Sequence, residues 1–122
     1  QRTLRMRGRP KIKLARTYEE AVRIFNQYRD NMLGIISDMS FMHDGVKDPY
    51  AGYKFGQYVR KTGLIIPFVL ESSEASNKVY AKELGASFID KNSKSYPQDL
   101  RKKIMQRFGS DTGRFAGLSS ES

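Results

Sequence analysis

Residues 32–38 read MLGIISD, a mostly apolar run that ends in a carboxylate. A short apolar run without alternation is typical of a strand buried on both faces of a parallel sheet. Residues 64–70, LIIPFVL, form the most apolar segment of the chain and continue into a polar ESS sequence at 71–73. Pro67 is compatible with a strand because proline is tolerated near a strand start. The two runs predict buried strands, the second of them central.

Apolar residues recur at helical spacing in four further segments. Their inward positions are predicted to be Ala21, Ile24, Phe25 and Tyr28; Gly52, Phe55 and Val59; Ala75, Val79 and Leu84; and Leu100, Ile104, Met105 and Phe108. Thr17 followed by Glu20 makes a capping box at the start of the first helix. Gly63 and Gly85 are placed to end the second and third helices. The pattern therefore predicts four helices, the third of them beginning at Ser73.

Two shorter segments complete the predicted strands. Residues 11–15, KIKLA, alternate charged and apolar side chains, as an edge strand with one buried face does. Residues 86–90 form a short strand that ends next to Lys91. The stretch 39–51 contains Gly45 and lacks clear periodicity, so we interpret it as a long loop. Strands and helices alternate four times, which predicts an α/β fold with a parallel sheet and helices on both faces.

The length of 122 residues fits a single domain with one modest core. Seven basic side chains and no acidic one fall within residues 1–16, which therefore carry most of the net charge of +9. We divide the chain into a basic lead segment at 1–10, a globular domain at 11–109 and a flexible polar tail at 110–122. No apolar run is long enough to span a membrane, and the N-terminal residues do not form a secretory signal. The absence of cysteine excludes disulfides and thiolate metal sites, and it fits a cytoplasmic protein.

Three polar residues stand at predicted strand ends: Asp38, Ser72 and Lys91. Parallel strands present their carboxyl ends at one edge of the sheet, where open α/β sheets bind their ligands. The three groups suit phosphoryl transfer to Asp38, with Ser72 bonding a phosphoryl oxygen and Lys91 offsetting the added charge. Each residue also has a structural explanation, as a turn residue, a helix cap and a solvated lysine respectively. Their joint placement at three strand ends favours the functional interpretation.

This arrangement resembles the receiver domain of bacterial response regulators over residues 11–109. That family carries an acceptor aspartate, a serine or threonine, and a lysine at the ends of its third, fourth and fifth strands, which correspond here to Asp38, Ser72 and Lys91. Phe88 matches the family's switch aromatic, although a core role is its alternative. The resemblance implies a flavodoxin-like sheet with about four strands and four helices. It also implies a phosphorylation switch of two-component signal transduction rather than an enzyme, with a histidine kinase or another phosphodonor as its partner.

The sequence departs from the receiver pattern at its beginning. Receivers start with a strand that ends in acidic residues holding Mg²⁺, and no such segment precedes Lys11. Mg²⁺ needs about six oxygen ligands, so Asp38 with the backbone carbonyl of Ser40 would be a weak site unless the missing acidic residues are supplied. We therefore expect the domain to lack its first strand and helix, with residues 1–10 as the remnant of that helix.

The missing strand has a structural consequence. In receivers it lies between the second and third strands, so its loss would leave a gap between the strands at 11–15 and 32–37. We expect that gap to close directly or to be filled by another chain. Homo-oligomers would then form through strand exchange or through the uncovered sheet face.

Three short motifs extend the resemblance to a larger context. Residues 5–7 (RMR), 9–12 (RPKI) and 17–21 (TYEEA) resemble a receiver-like region of bacterial phosphoenolpyruvate synthase or pyruvate phosphate dikinase-like proteins. This resemblance implies catalytic domains in a larger parent chain. His43 falls in the predicted loop, and we interpret it as an exposed residue rather than a phosphohistidine.

Other classes of function rank lower. A pseudo-receiver that is never phosphorylated would serve as a protein-interaction module, and the basic lead segment would bind nucleic acid in a strongly salt-dependent way. No aromatic residue interleaves the basic cluster, which disfavours nucleic acid. A free-standing enzyme ranks lowest, because the sequence shows no paired acid and base, metal cluster or phosphate-binding glycine loop.

Overall fold

The computed structural model describes residues 14–108 and 116–118, so the predicted lead segment at 1–10 lies outside the described residues. The strands are β1 (Leu14–Ala15), β2 (Ile35–Asp38), β3 (Phe41–His43), β4 (Val46–Asp48), β5 (Phe68–Ser72), β6 (Ser87–Asp90) and β7 (Ala116–Leu118). The α-helices are α1 (Tyr18–Tyr28), α2 (Ala51–Lys61), α3 (Lys78–Leu84) and α4 (Tyr96–Phe108). Within the described residues, no helix combines the length and apolar character that crossing a membrane requires.

Five strands form one parallel sheet in the order β1-β7-β2-β5-β6. β2 pairs with β5 from Ile35 opposite Phe68 to Asp38 opposite Glu71. β6 pairs with the other edge of β5, also in parallel. The predicted α/β fold with a parallel sheet is confirmed. Because all five strands run in one direction, their carboxyl ends share one rim.

The two faces of the sheet carry separate cores. Ile35 and Phe68 belong to the larger core, which α1, α2 and α3 cover. The smaller core, on the α4 side, consists of Ile36, Val69, Ile89, Tyr96 and Leu100. Helices α1, α2 and α3 connect β1, β2, β5 and β6 in turn, and all three lie on one face of the sheet. Helix α4 lies on the other face and returns the chain from β6 to β7. Because the chain moves back across the sheet at this step, placing α4 on the other face keeps all the crossovers right-handed.

The stretch 39–51, predicted as a long loop, contains instead the antiparallel hairpin of β3 and β4. Its two-residue turn is Asp44-Gly45, with φ angles of +55° and +82°. Both central residues of a type I′ turn need a positive φ, and Asp-Gly is among the pairs that adopt it most readily. The loop prediction was wrong because the flanking strands are only three residues long and show no alternation.

The segment 110–122, predicted as a flexible tail, contains strand β7 at residues 116–118. β7 lies between β1 and β2, where Gly117 is opposite both Leu14 and Ile36. This is the position of the predicted gap, so the expectation that β1 closes directly onto β2 was wrong. Strand exchange between copies, and an uncovered sheet face, stay predictions.

The beginning of α1 follows its prediction. Thr17 is the N-cap, and its Oγ1 accepts a hydrogen bond from the Glu20 amide at 3.0 Å. The Glu20 carboxylate reaches back one residue further than a capping box requires and accepts a hydrogen bond from the Arg16 amide at 2.8 Å. A cap of this kind contributes about 1 kcal/mol to helix stability.

Three residues predicted to face inward are exposed. Ala75 is exposed, Val79 is 59% exposed and Met105 is 48% exposed. The side chains of Ile104 and Phe108, also predicted to face inward, lie outside the described part of the chain. Helix α3 begins at Lys78 after a 3₁₀ turn at Ala75–Asn77 rather than at Ser73, and this turn changes the phase of the helix. Helix α4 packs on the smaller core through Tyr96 and Leu100 near its beginning, so the position of Met105 faces solvent.

Candidate functional site

Asp38 and Lys91 meet at the rim formed by the carboxyl ends of the strands. Asp38 ends β2, and Lys91 follows the last residue of β6. The Lys91 Nζ donates a hydrogen bond to the Asp38 Oδ1 at 3.2 Å, and the Asp38 side chain is only 5% exposed. The Lys91 backbone amide also bonds the Ser72 carbonyl oxygen at 2.8 Å, which fixes the lysine against β5. Two of the three predicted site residues are therefore in direct contact.

Ser72, the third predicted residue, lines the same cavity as Asp38 and Lys91. Its Oγ accepts hydrogen bonds from the Glu74 amide and from the Asn77 side-chain amide, each at 2.9 Å. The serine therefore stabilises the turn that leads into α3, although the N-cap residues of the 3₁₀ turn and of α3 are Glu74 and Asn77. A hydroxyl that accepts two hydrogen bonds still has its own proton to donate, so this role in the turn is compatible with binding an oxyanion.

The cavity over the rim has a volume of about 400 Å³ and is open to solvent. Residues 39–40 and the β3–β4 hairpin wall one side, and the segment 71–77 walls the other. The hairpin contributes Lys47, which is a second ammonium group in addition to Lys91. The loop prediction for 39–51 gave no reason to place Lys47 there. The cavity is large enough for a phosphate-sized group and presents two cations to it.

Glu71 is a functional candidate that the sequence reasoning missed. It lies opposite Asp38 in the paired strands β2 and β5, and it is buried. Burial, together with a hydrogen bond to Asp38 and the negative charge of Asp38, raises the pKa of Glu71 to about 7. The hydroxyl of Tyr96 donates toward both carboxylate oxygens of Glu71, at 3.1 and 3.2 Å. The rim therefore holds two neighbouring buried carboxyl groups, of which Glu71 is protonated for much of the time near neutral pH.

The pairing of Asp38 with Glu71 was implicit in the two apolar runs. Each run ends in a carboxylate, and aligning the runs as neighbouring parallel strands places one acid opposite the other. The strand-end reasoning selected the last residue of β5, Ser72, and passed over the preceding residue. A comparison of the two strand ends in register would have found Glu71.

Gly52 determines how closely α2 approaches Asp38. A Cβ at this position would collide with the carbonyl oxygen of Asp38 and lie 2.9 Å from the Cα of Met39. The Gly52 amide donates a hydrogen bond to the Met39 carbonyl at 2.7 Å. Glycine is therefore needed here because the first turn of α2 packs directly against the main chain of Asp38 and Met39, which leaves no room for a side chain.

Phe88, the predicted switch aromatic, is half-buried on the face of the sheet that α1, α2 and α3 cover, opposite to the face on which the Asp38 side chain lies. It packs against the larger core and lines a shallow cavity with residues of α3, including Val79 and Lys82. The structure brings Phe88 close to α3 but gives it no contact with Asp38 among the described interactions. Its core alternative and its switch role both stay open.

The residues around Asp38 were also predicted to hold Mg²⁺ weakly. Among the described residues, the one group of three or more side chains placed to bind a metal is Glu19, His43 and Asp44, which does not include Asp38. Ser40 lines the cavity, and the Lys91 ammonium contacts the Asp38 carboxylate. Weak Mg²⁺ binding at Asp38 and the Ser40 carbonyl stays a prediction that depends on further acidic ligands.

His43 is not the exposed loop residue that the sequence predicted. It belongs to β3, its side chain is 25% exposed, and its ring stacks on Tyr18 with centroids 4.2 Å apart. Its Nδ1 lies 3.1 Å from the Oδ2 of Asp48, and its Nε2 lies within 4 Å of carboxylate oxygens of Glu19 and Asp44. These contacts explain His43 as a residue that fastens the hairpin to α1.

Asp48 is the buried member of the hairpin cluster. Burial acts to raise its pKa, but hydrogen bonds from Lys54, from the Tyr50 amide and from His43 outweigh that effect and lower the pKa to about 2. The Lys54 Nζ lies 2.8 Å from the Asp48 Oδ2. Asp48 thus joins the end of the hairpin to the first turns of α2.

No protein-family model matches the chain, and no curated protein or solved structure matches it either.

Proposed function

We propose that the chain is a phospho-acceptor regulatory domain of the receiver type, with Asp38 as the acceptor. The observation that carries this proposal is the contact between Asp38 and Lys91 on a cavity that Ser72 also lines. Residues far apart in the chain contribute a nucleophile, a cation and a hydroxyl to one rim. This combination is suited to accepting a phosphoryl group.

The proposed reaction is a displacement at phosphorus. An oxygen of the Asp38 carboxylate attacks the phosphorus of a phosphodonor, and the new O–P bond makes an acyl phosphate. The bond from phosphorus to the donor breaks, and the donor group keeps the bonding electron pair. Lys91 is close enough to follow the negative charge onto the phosphoryl oxygens, and the Ser72 hydroxyl donates its proton to one of them.

The strand order supports the finer assignment to a flavodoxin-like fold. Setting the hairpin aside, the parallel strands lie in the order second, first, third, fourth, fifth if β7 is counted as the first strand. Asp38 then stands at the end of the strand next to the switch point, where ligands bind in such sheets. The proposal includes the larger context of a phosphoenolpyruvate synthase or pyruvate phosphate dikinase-like protein, with a histidine kinase or a small phosphodonor as the partner.

The proposal is tested by incubating the protein with acetyl phosphate, with and without Mg²⁺, and measuring the intact mass. The expected result is a gain of one phosphoryl group that hydroxylamine removes and that Asp38→Asn abolishes. Asp90→Asn is the matched control, because Asp90 ends β6 as Asp38 ends β2 and should leave the gain unchanged. A mass gain that persists in Asp38→Asn would assign the phosphoryl group elsewhere and refute the proposal.

A second candidate is a pseudo-receiver that binds partners without being phosphorylated. It is favoured by the hydrogen bonds that already engage Asp38. This candidate predicts no mass gain under any of the conditions above. It also predicts that Asp38→Asn leaves partner binding unchanged.

A further inference from the structure

We propose that Glu71 and Tyr96 connect the chemical state of Asp38 to helix α4, so that a change of charge at Asp38 alters how α4 packs on the sheet. This inference deepens the proposed function and rests on it for the natural trigger, a phosphoryl group on Asp38. The connection itself depends only on groups that the structure places in contact.

The first step of the connection is the pair of neighbouring carboxyl groups. Asp38 and Glu71 are opposite residues of β2 and β5, and both are buried at 3% and 7% exposure. Opposite residues of paired parallel strands point to the same face, so both side chains lie on the face that α4 covers. They share a hydrogen bond, and Lys91 contacts the Asp38 member of the pair. In this buried setting, any change in the charge of Asp38 changes the interactions available to Glu71.

The second step is the bond from Glu71 to α4. The Tyr96 hydroxyl lies 3.1 and 3.2 Å from the two carboxylate oxygens of Glu71. Tyr96 is the first residue of α4, and its ring packs with Leu100 on the smaller core. Since the hydroxyl bonds the rim and the ring packs in the core, displacing the hydroxyl changes the contacts of the first turn of α4.

Phosphorylation of Asp38 provides the change. The linking oxygen of the acyl phosphate no longer carries the carboxylate charge, the phosphoryl group places new negative charge in the cavity, and Lys91 moves toward it. The charge and the hydrogen bond that Asp38 presents to Glu71 are altered together, and Tyr96 is the bonded neighbour that adjusts. This route uses the α4 face of the sheet, whereas Phe88 packs on the other face with α3.

The experiment is hydrogen–deuterium exchange of α4 peptides, compared between the wild type, wild type with beryllofluoride and Mg²⁺, and Asp38→Asn. Asp38→Asn removes the charge without any phosphoryl chemistry. We expect a several-fold change in exchange in the first turn of α4 in Asp38→Asn, and the same direction of change with beryllofluoride. Tyr96→Phe keeps the ring and removes the hydroxyl, and in this background the change should disappear. Tyr80→Phe, which alters a tyrosine packed against Tyr50 and Tyr53, is the matched control and should retain the change.

The outcomes separate the two proposals. If Asp38→Asn leaves α4 exchange unchanged, or if the change survives in Tyr96→Phe, the connection through Glu71 and Tyr96 is refuted. If beryllofluoride has no effect while Asp38→Asn acts through Tyr96, the connection stands and the phospho-acceptor proposal fails.

Discussion

One group of carboxylates lies at the rim of the sheet and another lies in the β3–β4 hairpin, and they differ in what surrounds them. At the rim, Asp38 and Glu71 lie side by side in the sheet, and burial beside a like charge raises the pKa of Glu71 to about 7. At the hairpin, Asp48 accepts hydrogen bonds from a lysine, a histidine and a backbone amide, and its pKa falls to about 2. The same type of side chain is therefore held neutral for much of the time in one cluster and fully ionised in the other.

The difference indicates what each cluster contributes. A carboxylate matched with donors stabilises the folded state, whereas two adjacent buried carboxyl groups cost stability. Clusters that cost stability and face a cavity are more often functional than structural. The rim is accordingly the candidate site, and the hairpin cluster is the support that holds its wall in place.

The largest expected loss of stability comes from a substitution that displaces the backbone at the rim without removing any contact of the hairpin cluster. Gly52→Ala places a methyl group against the Asp38 carbonyl and the Met39 Cα, both of which are backbone atoms that cannot turn away. We expect a loss of about 3 to 4 kcal/mol in the free energy of unfolding. Urea unfolding followed by circular dichroism measures it.

Gly56→Ala is the matched control for this experiment. It lies one turn later in α2, and its added methyl group meets the flexible side chain of Leu84 instead of backbone. Its cost should be clearly smaller than that of Gly52→Ala. Equal costs would show that the close approach of α2 to Asp38 is not what Gly52 provides.

The parts of this arrangement that were predictable from the sequence are those that depend on single strands or helices. The apolar runs identified β2 and β5, and their polar ends identified Asp38 and Ser72. The parts that were missed depend on pairing between distant segments. Glu71 acquires its role only from the register of β5 against β2, and β7 consists of three residues, Ala-Gly-Leu, that carry no strand signal outside their position between β1 and β2. The hairpin at 41–48 was missed although its Asp-Gly turn is a local signal.

A smaller effect on stability is expected from Glu71, the buried carboxyl group at the rim. The folded-state pKa of Glu71 is above its ordinary value of 4.5, so the folded protein holds this proton more tightly than the unfolded chain. The free energy of unfolding should therefore fall by roughly 3 kcal/mol at most as pH rises from about 4.5 to 7. Above about pH 7 it should level off. Glu71→Gln should remove this contribution, and urea unfolding between these pH values measures it.

Glu74→Gln serves as the comparison for that measurement. Glu74 lines the same cavity but is exposed, so its variant should keep the pH dependence of the wild type. A Glu71→Gln protein with an unchanged pH profile would mean that Glu71 is not the group responsible.

The smallest of the three effects concerns the hairpin cluster. Asp48→Asn weakens the bonds from Lys54 and His43, so we expect a loss of about 2 kcal/mol at neutral pH. The folded-state pKa of Asp48 is depressed, so its contribution is present above an unfolded pKa of about 3.8 and is lost as pH falls toward about 2. Thermal unfolding across this acidic range checks both the size and the sign.

Asp44→Asn is the control for the hairpin experiment, because the Asp44 side chain is 83% exposed in the turn of the same hairpin. It should change stability by a few tenths of a kcal/mol. If the two variants cost the same, then the buried bonds of Asp48 do not anchor the hairpin.

The position of β7 has a consequence for the order of folding. Among the described strands, β1 pairs with β7 alone, so residues 14–15 find their strand partner only in residues 116–118. Loop closure over so long a separation is slow and is completed after the local helices have formed. During synthesis on the ribosome, β1 therefore stays without this partner until β7 has left the exit tunnel, while β2, β5 and β6 are free to assemble first.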